Sequence, residues 1–195
     1  MPPWHSLKML LKIPSDVKFV SPFAKEATGD NALPLMLSLV CAEIFDGESD
    51  TEIVQLQRVF HTGADPMERL RLRPSFEGVV EPGRLYFLVD DVSSMGTTLA
   101  ELANYLQVNG GGKVAGTILL VNAGRSVEFK PVPKHIRLLE ERFGDEIRQI
   151  FGIHPRALTA NEAGYLVGFR TADEIRNRLV KAEKETRLRL LSKGY

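Results

Sequence analysis

The stretch LYFLVDDVSSMGTTLAEL, residues 85–102, decides how this chain is read. It opens with an apolar run suited to a strand covered on both faces, passes through two adjacent aspartates, then small hydroxylated residues and a glycine, and ends in helix-like spacing. A strand that served only a core would need neither the acidic pair nor the hydroxyl run. Adjacent carboxylates repel unless they meet a ligand's hydroxyls or a cation. In an open parallel sheet, ligands sit at the carboxyl ends of strands, where the turn into the next helix exposes backbone amides. The stretch therefore predicts a ligand-binding strand, turn and helix.

Working outward, VKFVSP (17–22) predicts a short buried strand that stops at Pro22, followed by the polar loop FAKEATGDNA (23–32). LPLMLSLVCAEIF (33–45) is apolar almost all round; Asn31 can cap it, and Pro34 is tolerated in its first turn. TEIVQLQRVF (51–60) reads as a second strand, and HTGADPMERLRLRPSFEGVVEPG (61–83) as a long connection rich in breakers, of the kind that is functional or mobile. RLYFLVDD (84–91) is the third strand, TTLAELANYLQVN (97–109) a helix ended by Gly110, Gly111 and Gly112, and KVAGTILLV (113–121) a fourth, continuously apolar strand.

Strands this apolar, alternating with helices, predict an α/β fold: a Rossmann-like open parallel sheet with helices on both faces and right-handed crossovers. The core spans residues 17–122, preceded by an N-terminal segment (1–16) and followed by a mainly helical region (123–195). In that last region RSVEFKPVPKHIRLLEERFGDEIRQIFG (125–152) reads as loop and helix, and two capping boxes follow, Thr159 with Glu162 and Thr171 with Glu174. The last helix carries Ile175, Leu179 and Ala182 on one face.

Composition excludes several classes. With 44% hydrophobic and 26% charged residues the chain is neither disordered nor fibrous. The net charge of zero argues against a surface that tracks nucleic acid throughout, although residues 159–195 hold eight Lys or Arg against five Asp or Glu. Cys41, the single cysteine, lies in an apolar run and reads as a small core residue. His5, His61, His135 and His154 are scattered, with no zinc-like spacing. The N-terminal apolar run is too short, and too interrupted by Lys8 and Lys12, for a signal or a span, so no membrane role and a cytoplasmic location are expected.

The chemistry then falls on residues 90–98. Ser94, Met95, Gly96, Thr97 and Thr98 would form a turn whose amides complement a phosphate, with Gly96 allowing close approach and the hydroxyls donating. Asp90 and Asp91 suit a sugar diol with a bound magnesium ion. The usual glycine-rich triphosphate and dinucleotide motifs are absent.

This pattern resembles the phosphoribosyl-pyrophosphate signature of the type I phosphoribosyltransferases: an apolar strand, two acids, two mostly apolar positions, then Thr or Asp, Thr, Gly, any residue and Thr. The resemblance implies a transferase of nucleotide metabolism, a pentosyl glycosyltransferase that moves ribose 5-phosphate to a nitrogenous base or related acceptor and releases pyrophosphate, with Mg2+. It gives Asp90 and Asp91 the ribose hydroxyls and the metal, and Ser94, Met95, Gly96, Thr97 and Thr98 the 5-phosphate. Met95 stands where the pattern has a hydroxyl, one contact fewer, worth about 1–3 kcal/mol.

The resemblance also makes Lys25, Glu26 and Gly29 candidates for the pyrophosphate loop, with Arg58, His61, Arg69, Arg71 and Arg73 available to neutralise the leaving group. The acceptor would be selected by a hood from the N-terminal segment or residues 123–195. Phe129, Phe143, Phe151, Tyr165 and Phe169 could stack there, although core packing is the simpler reading of each. Dimers are common in that family, which implies a homodimer. EATGDNALP, HTGAD, PSFEGVVEPGRLYFLVDD, LTANEAGYL and TADEIRNR also resemble bacterial phosphoribosyltransferase-like proteins of unknown substrate. A second reading, motivated by Met95 and the acidic first loop, is a non-catalytic sensor of the activated ribose or a nucleotide that regulates a protein or nucleic-acid partner.

Overall fold

The computed structural model describes residues 13–14, 16–24, 32–56 and 65–192. In chain order the elements are β1 (Lys18–Val20), α1 (Ala32–Phe45), β2 (Glu48–Asp50), β3 (Val54–Gln55), α2 (Pro66–Arg71), β4 (Phe76–Glu77), β5 (Leu85–Ser93), α3 (Thr97–Gly110), β6 (Lys113–Asn122), α4 (Pro133–Phe151), a 3-10 turn (Pro155–Ala157), α5 (Ala160–Val167) and α6 (Ala172–Ser192). They form two compact units. Pro74–Ser93 and Thr98–Asn122 join the described residues up to 56 in the first, and Ser94–Thr97 joins 65–73 and 123–192 in the second.

The first unit is the α/β fold that the apolar strands require. Four strands pair in parallel in the order β2-β1-β5-β6. Alternate side chains of β5 serve opposite faces. On one face Val89 packs with Val17 and Phe19 of the β1 segment and with Cys41 and Phe45 of α1, the Phe19 and Phe45 rings stacking at 5.9 Å between centroids. Burial raises the Cys41 thiol to about 11, so it behaves as a small hydrophobe. On the other face Tyr86 and Leu88 are buried, as are Leu99, Leu102 and Leu106 of α3. Each such side chain contributes on the order of 1.5–3 kcal/mol on leaving water.

Two sequence expectations need correction. The run TEIVQLQRVF (51–60), read as the second strand, holds β3 (Val54–Gln55) within its described residues 51–56, and the strand that pairs with β1 is Glu48–Asp50. An edge strand pairs on one side only, so polar residues suffice when they are tied down. Ser49 Oγ meets Ser38 Oγ at 2.8 Å, Ser38 Oγ donates to Phe19 O at 2.9 Å, and Asp50 Oδ1 accepts from the Glu52 and Ile53 amides at 3.0 Å. Gly47 makes the approach possible, since a Cβ there would stand 2.7 Å from Val17 O. Val54 and Gln55 instead pair antiparallel with Glu77 and Phe76.

The second correction is α2, which lies inside the stretch read as a connection. Asp65 Oδ1 accepts from Met67 N at 2.8 Å and Glu68 N at 3.4 Å, and Pro66 occupies the first turn, where its missing N–H costs nothing. Met67 and Leu70 are wholly buried in the second unit.

That unit is helical. Leu139, Phe143, Ile147 and Phe151 form an i, i+4 stripe on α4, which ends at left-handed Gly152 (φ 68°). The stripe packs with Met95, Leu158, Ala163, Leu166, Ile175 and Ala182, so the expected face of α6 is a core face. Of the two capping boxes, Thr159 with Glu162 is complete. In the second, Thr171 Oγ1 accepts from Glu174 N at 3.2 Å while Glu174 Oε2 reaches one residue further back, to Arg170 N at 2.7 Å.

Candidate functional site

In the first unit the sheet order reverses at β1, whose neighbours β2 and β5 come from different parts of the chain. The carboxyl ends of the strands at such a switch point are where α/β sheets receive ligands. β1 pairs with β5 as far as Val20 and Leu88, and Asp90 lies two residues beyond that last pair. Strand β5 does not break at the acidic pair: it continues to Ser93, with Asp90 opposite Leu119 and Val92 opposite Val121 on β6. Asp90 and Asp91 therefore project to opposite faces, Asp90 with Tyr86 and Leu88.

Their environments differ accordingly. Asp90 is buried, and its Oδ1 accepts from the Asp91 amide at 3.0 Å. Burial, followed by the charge and side-chain hydrogen bond of Asp91, lifts its carboxyl from 3.8 to about 7, against the smaller lowering effect of the Asp91 N–H. Asp91 is half-exposed, with its Oδ1 accepting from Val92 N at 2.8 Å. Among the described residues no group of three or more His, Cys, Asp or Glu side chains could hold a metal. Two carboxylates supply too few oxygens for a protein-only magnesium cage, and from opposite faces of β5 they do not jointly hold one ion, as the adjacent pair had been expected to; a single one of them fits an ion that takes its remaining ligands from a substrate and water.

In the second unit the loop Ser94–Thr97 is held by a buried polar centre. Glu162, wholly buried, accepts through Oε1 from Thr97 Oγ1 at 2.7 Å and from Arg73 Nη1 and Nη2 at 3.1 Å, and through Oε2 from Thr159 N at 2.8 Å. Thr159 Oγ1 donates to Met95 O at 2.5 Å. The Met95 side chain is in the helical core. Gly96 is left-handed at φ +77°, and a Cβ there would meet the Phe129 ring at 3.3 Å. Ser94 Oγ accepts from Arg69 Nη1 at 2.7 Å. Asn161 Oδ1 holds the Arg125 and Ser126 amides at 2.9 Å at the start of α5.

Sequence reasoning saw Thr159 and Glu162 only as a helix cap. Their second task, receiving the loop, has no local signal, because it depends on residues about sixty positions away. Of the arginines considered for the leaving group, Arg73 is committed to Glu162 and Arg71 pairs with Glu183 at 3.1 Å. Lys25, Glu26, Gly29, Arg58 and His61 lie outside the described residues. Thr98 follows on α3, half-buried. Among the aromatic candidates Phe143 and Phe151 are core, and Tyr165 and Phe169 meet edge to face at 5.3 Å against that core. Phe129 lies beside Gly96 of the loop.

No protein-family model matches the chain. It is 36% identical over 172 residues to Protein TraN of Escherichia coli, an alignment that covers 86% of this chain and 38% of that relative. It is 35% identical over 83 residues to an uncharacterized protein of Haemophilus influenzae, covering 43% and 19% respectively. The chain thus spans less than two fifths of the length of the curated relatives it matches. A purine phosphoribosyltransferase from Pyrococcus horikoshii superposes with a TM-score of 0.35 at 14% identity, over 66% of this chain and 89% of that one. A score that low carries no weight for function. Among the described residues no helix is long and apolar enough to cross a membrane.

Proposed function

We propose that this chain binds phosphoribosyl pyrophosphate with magnesium and transfers its ribose 5-phosphate to a nitrogen acceptor. The observation that carries this reading is the acidic pair on β5, set beyond the last β1 pairing where the sheet order reverses and followed in the chain by a loop with left-handed Gly96. Asp90 and Asp91, on opposite faces of β5, would do different jobs, one taking the ribose hydroxyls and the other reaching the ion through water, with residues 94–98 taking the 5-phosphate. Magnesium would supply charge neutralisation on the diphosphate.

The reaction breaks the bond from carbon 1 to the pyrophosphate oxygen, whose electron pair leaves with that oxygen. A nitrogen lone pair forms the new bond to carbon 1, and the acceptor loses a proton. Positive charge develops on the sugar, so nearby carboxylates stabilise it, and no covalent enzyme intermediate is required. The test is calorimetric titration with phosphoribosyl pyrophosphate, with and without magnesium, on the wild type and on Asp90→Asn/Asp91→Asn. Magnesium-dependent binding lost in the double variant supports the site, and pyrophosphate release with a nitrogen acceptor supports transfer. Absence of binding in the wild type sinks both.

One observation favours a second reading, a sensor that binds the same ligand without transfer. Met95 and Thr97 turn their side chains into the helical unit, leaving the loop fewer donors than the signature provides. Binding without pyrophosphate release for any acceptor is its expected result. A nucleic-acid partner is the less favoured regulatory target, because Arg176, Arg178 and Arg189 of the basic helix are each in ion pairs with acids of the second unit.

A further inference from the structure

Helix α1 turns its polar residue inward and its apolar ones outward. Ser38 is wholly buried, donating to Phe19 O at 2.9 Å beside Ser49, while Leu33, Met36, Leu39 and Val40 are 42% to 64% exposed. A surface helix ordinarily has the reverse arrangement. No charged residue stands between Ala32 and Ala42. The outer stripe Leu33, Met36, Val40, spaced i, i+3, i+7, ends one turn further on at the exposed Glu43. Four adjoining large apolar side chains on one helix form a patch of the kind that proteins cover.

Ile13 marks where a cover can come from. It packs on the cluster that includes Cys41 and Phe45, so the chain preceding it starts from the C-terminal half of α1. Residues 1–12, MPPWHSLKMLLK, lie outside the described residues, but their sequence has helical spacing. Trp4, Leu7 and Leu11 recur at i, i+3, i+7, and His5, Lys8 and Lys12 repeat the same interval one residue later, on a polar side. In a helix the rise from Lys12 back to Trp4 is about 12 Å, and that from Glu43 back to Met36 about 10 Å, so the two stripes match in length.

We infer that residues 4–12 lie as an amphipathic helix along the outer face of α1, with Trp4, Leu7 and Leu11 on Met36 and Val40 and with Lys12 beside Glu43. Charge favours this cover over a second copy of the chain. Helix α1 holds no lysine or arginine. Pairing it with itself sets two Glu43 carboxylates side by side when parallel, and each against the leucine end of the other helix when antiparallel. The segment instead brings its own cations to Glu43. The inference is independent of phosphoribose binding and stands or falls by itself.

Trp4 is the only tryptophan of the chain, so its fluorescence reports on this contact alone. The experiment is emission and acrylamide quenching of the full chain as wild type, Leu7→Lys, Met36→Lys and Val108→Lys, each checked by circular dichroism for an unchanged fold. Val108 is an exposed residue of α3 and serves as the control. In the wild type Trp4 should emit to the blue of a free tryptophan derivative and resist quenching. Leu7→Lys and Met36→Lys should each move the emission to that of the free derivative and raise quenching several-fold, and Val108→Lys should do neither. Val40→Lys takes the place of Met36→Lys should that variant not fold. A wild-type Trp4 quenched like the free derivative would overturn the inference. So would a blue-shifted emission that both α1 variants leave unchanged, since the segment would then be held elsewhere. A blue shift that fades on dilution, with dimers in sedimentation, would assign the face to a second copy and overturn it too.

Discussion

The Thr97 hydroxyl donates to Glu162 Oε1 at 2.7 Å across 65 residues of sequence. That bond gives a signature threonine a structural partner, and it places a buried carboxylate behind a loop expected to hold an anion. The carboxylate is tolerable there because Arg73 and two further donors satisfy it. The loop's shape is consequently set by the second unit's own polar centre.

Glu162→Gln should therefore destabilise the protein strongly. It removes the charge that balances Arg73, whose side chain is only 11% exposed, and breaking one partner of a buried pair costs about 3–5 kcal/mol. Thr97→Val should cost less, about 1–3 kcal/mol, for one lost hydrogen bond to a charged group. Urea denaturation of both variants checks the order. Arg73→Met/Glu162→Met should recover much of the loss, since neither charge is then left unpaired.

Met95→Thr supplies the hydroxyl that the phosphoribosyl-pyrophosphate signature has at this place, yet it should not improve phosphate binding. The side chain at this position belongs to the buried apolar cluster that includes Leu139, Phe143 and Leu166, so threonine leaves a cavity and buries a hydroxyl among apolar groups. A loss of about 2–4 kcal/mol is expected, whereas Met95→Leu should stay under about 1.5 kcal/mol. Thermal melts with a parallel ribose 5-phosphate titration test both statements. Tighter binding in Met95→Thr would mean that residue 95 faces the ligand.

Strands β1, β5 and β6 of the parallel sheet were legible because they are largely apolar and because α3 is bounded by a clear stop, the glycines that follow it. Strand β2 was not, because Glu48, Ser49 and Asp50 owe their pairing to Gly47, Ser38 and the β1 backbone rather than to their own propensity. Asp65 and Pro66 carried the signal for α2, but the glycine and prolines around them read as breakers. The nine residues 90–98 were legible as a pattern, and their order along the chain was informative. What the pattern could not give is which hydroxyls are already spent, since Arg69, Thr159 and Glu162 come from distant segments.

Ser21 offers a different kind of check. It follows β1 directly, is 1% exposed, and its Oγ has no hydrogen-bond partner among the described residues. A buried unsatisfied hydroxyl costs about 1–3 kcal/mol, so Ser21→Ala should leave the ligand-free protein as stable as the wild type or more so. Chemical denaturation in the absence of ligand decides it: a clear loss of stability would show that the hydroxyl is engaged after all.

Asp90 should give stability a pH dependence of known sign. Its folded-state pKa is about 7 against the ordinary 3.8, because burial first and the neighbouring Asp91 second disfavour the anion. The fold thus prefers the protonated acid. The stabilisation is fully present below about pH 4 and is lost as pH rises through about 7, with a ceiling of about 4 kcal/mol for a shift of that size. Asp90→Asn cannot ionise, so its unfolding free energy should lack this decline between pH 4 and 8, and at pH 8 the variant should be the more stable of the two. Ligand and magnesium favour the ionised form instead, so titrating phosphoribosyl pyrophosphate with magnesium near pH 6 should release a proton, visible as a dependence of the calorimetric heat on buffer ionisation enthalpy. Parallel stability profiles for the wild type and Asp90→Asn would mean that Asp90 titrates as an ordinary carboxylate, and the poised acid on β5 would have to be abandoned.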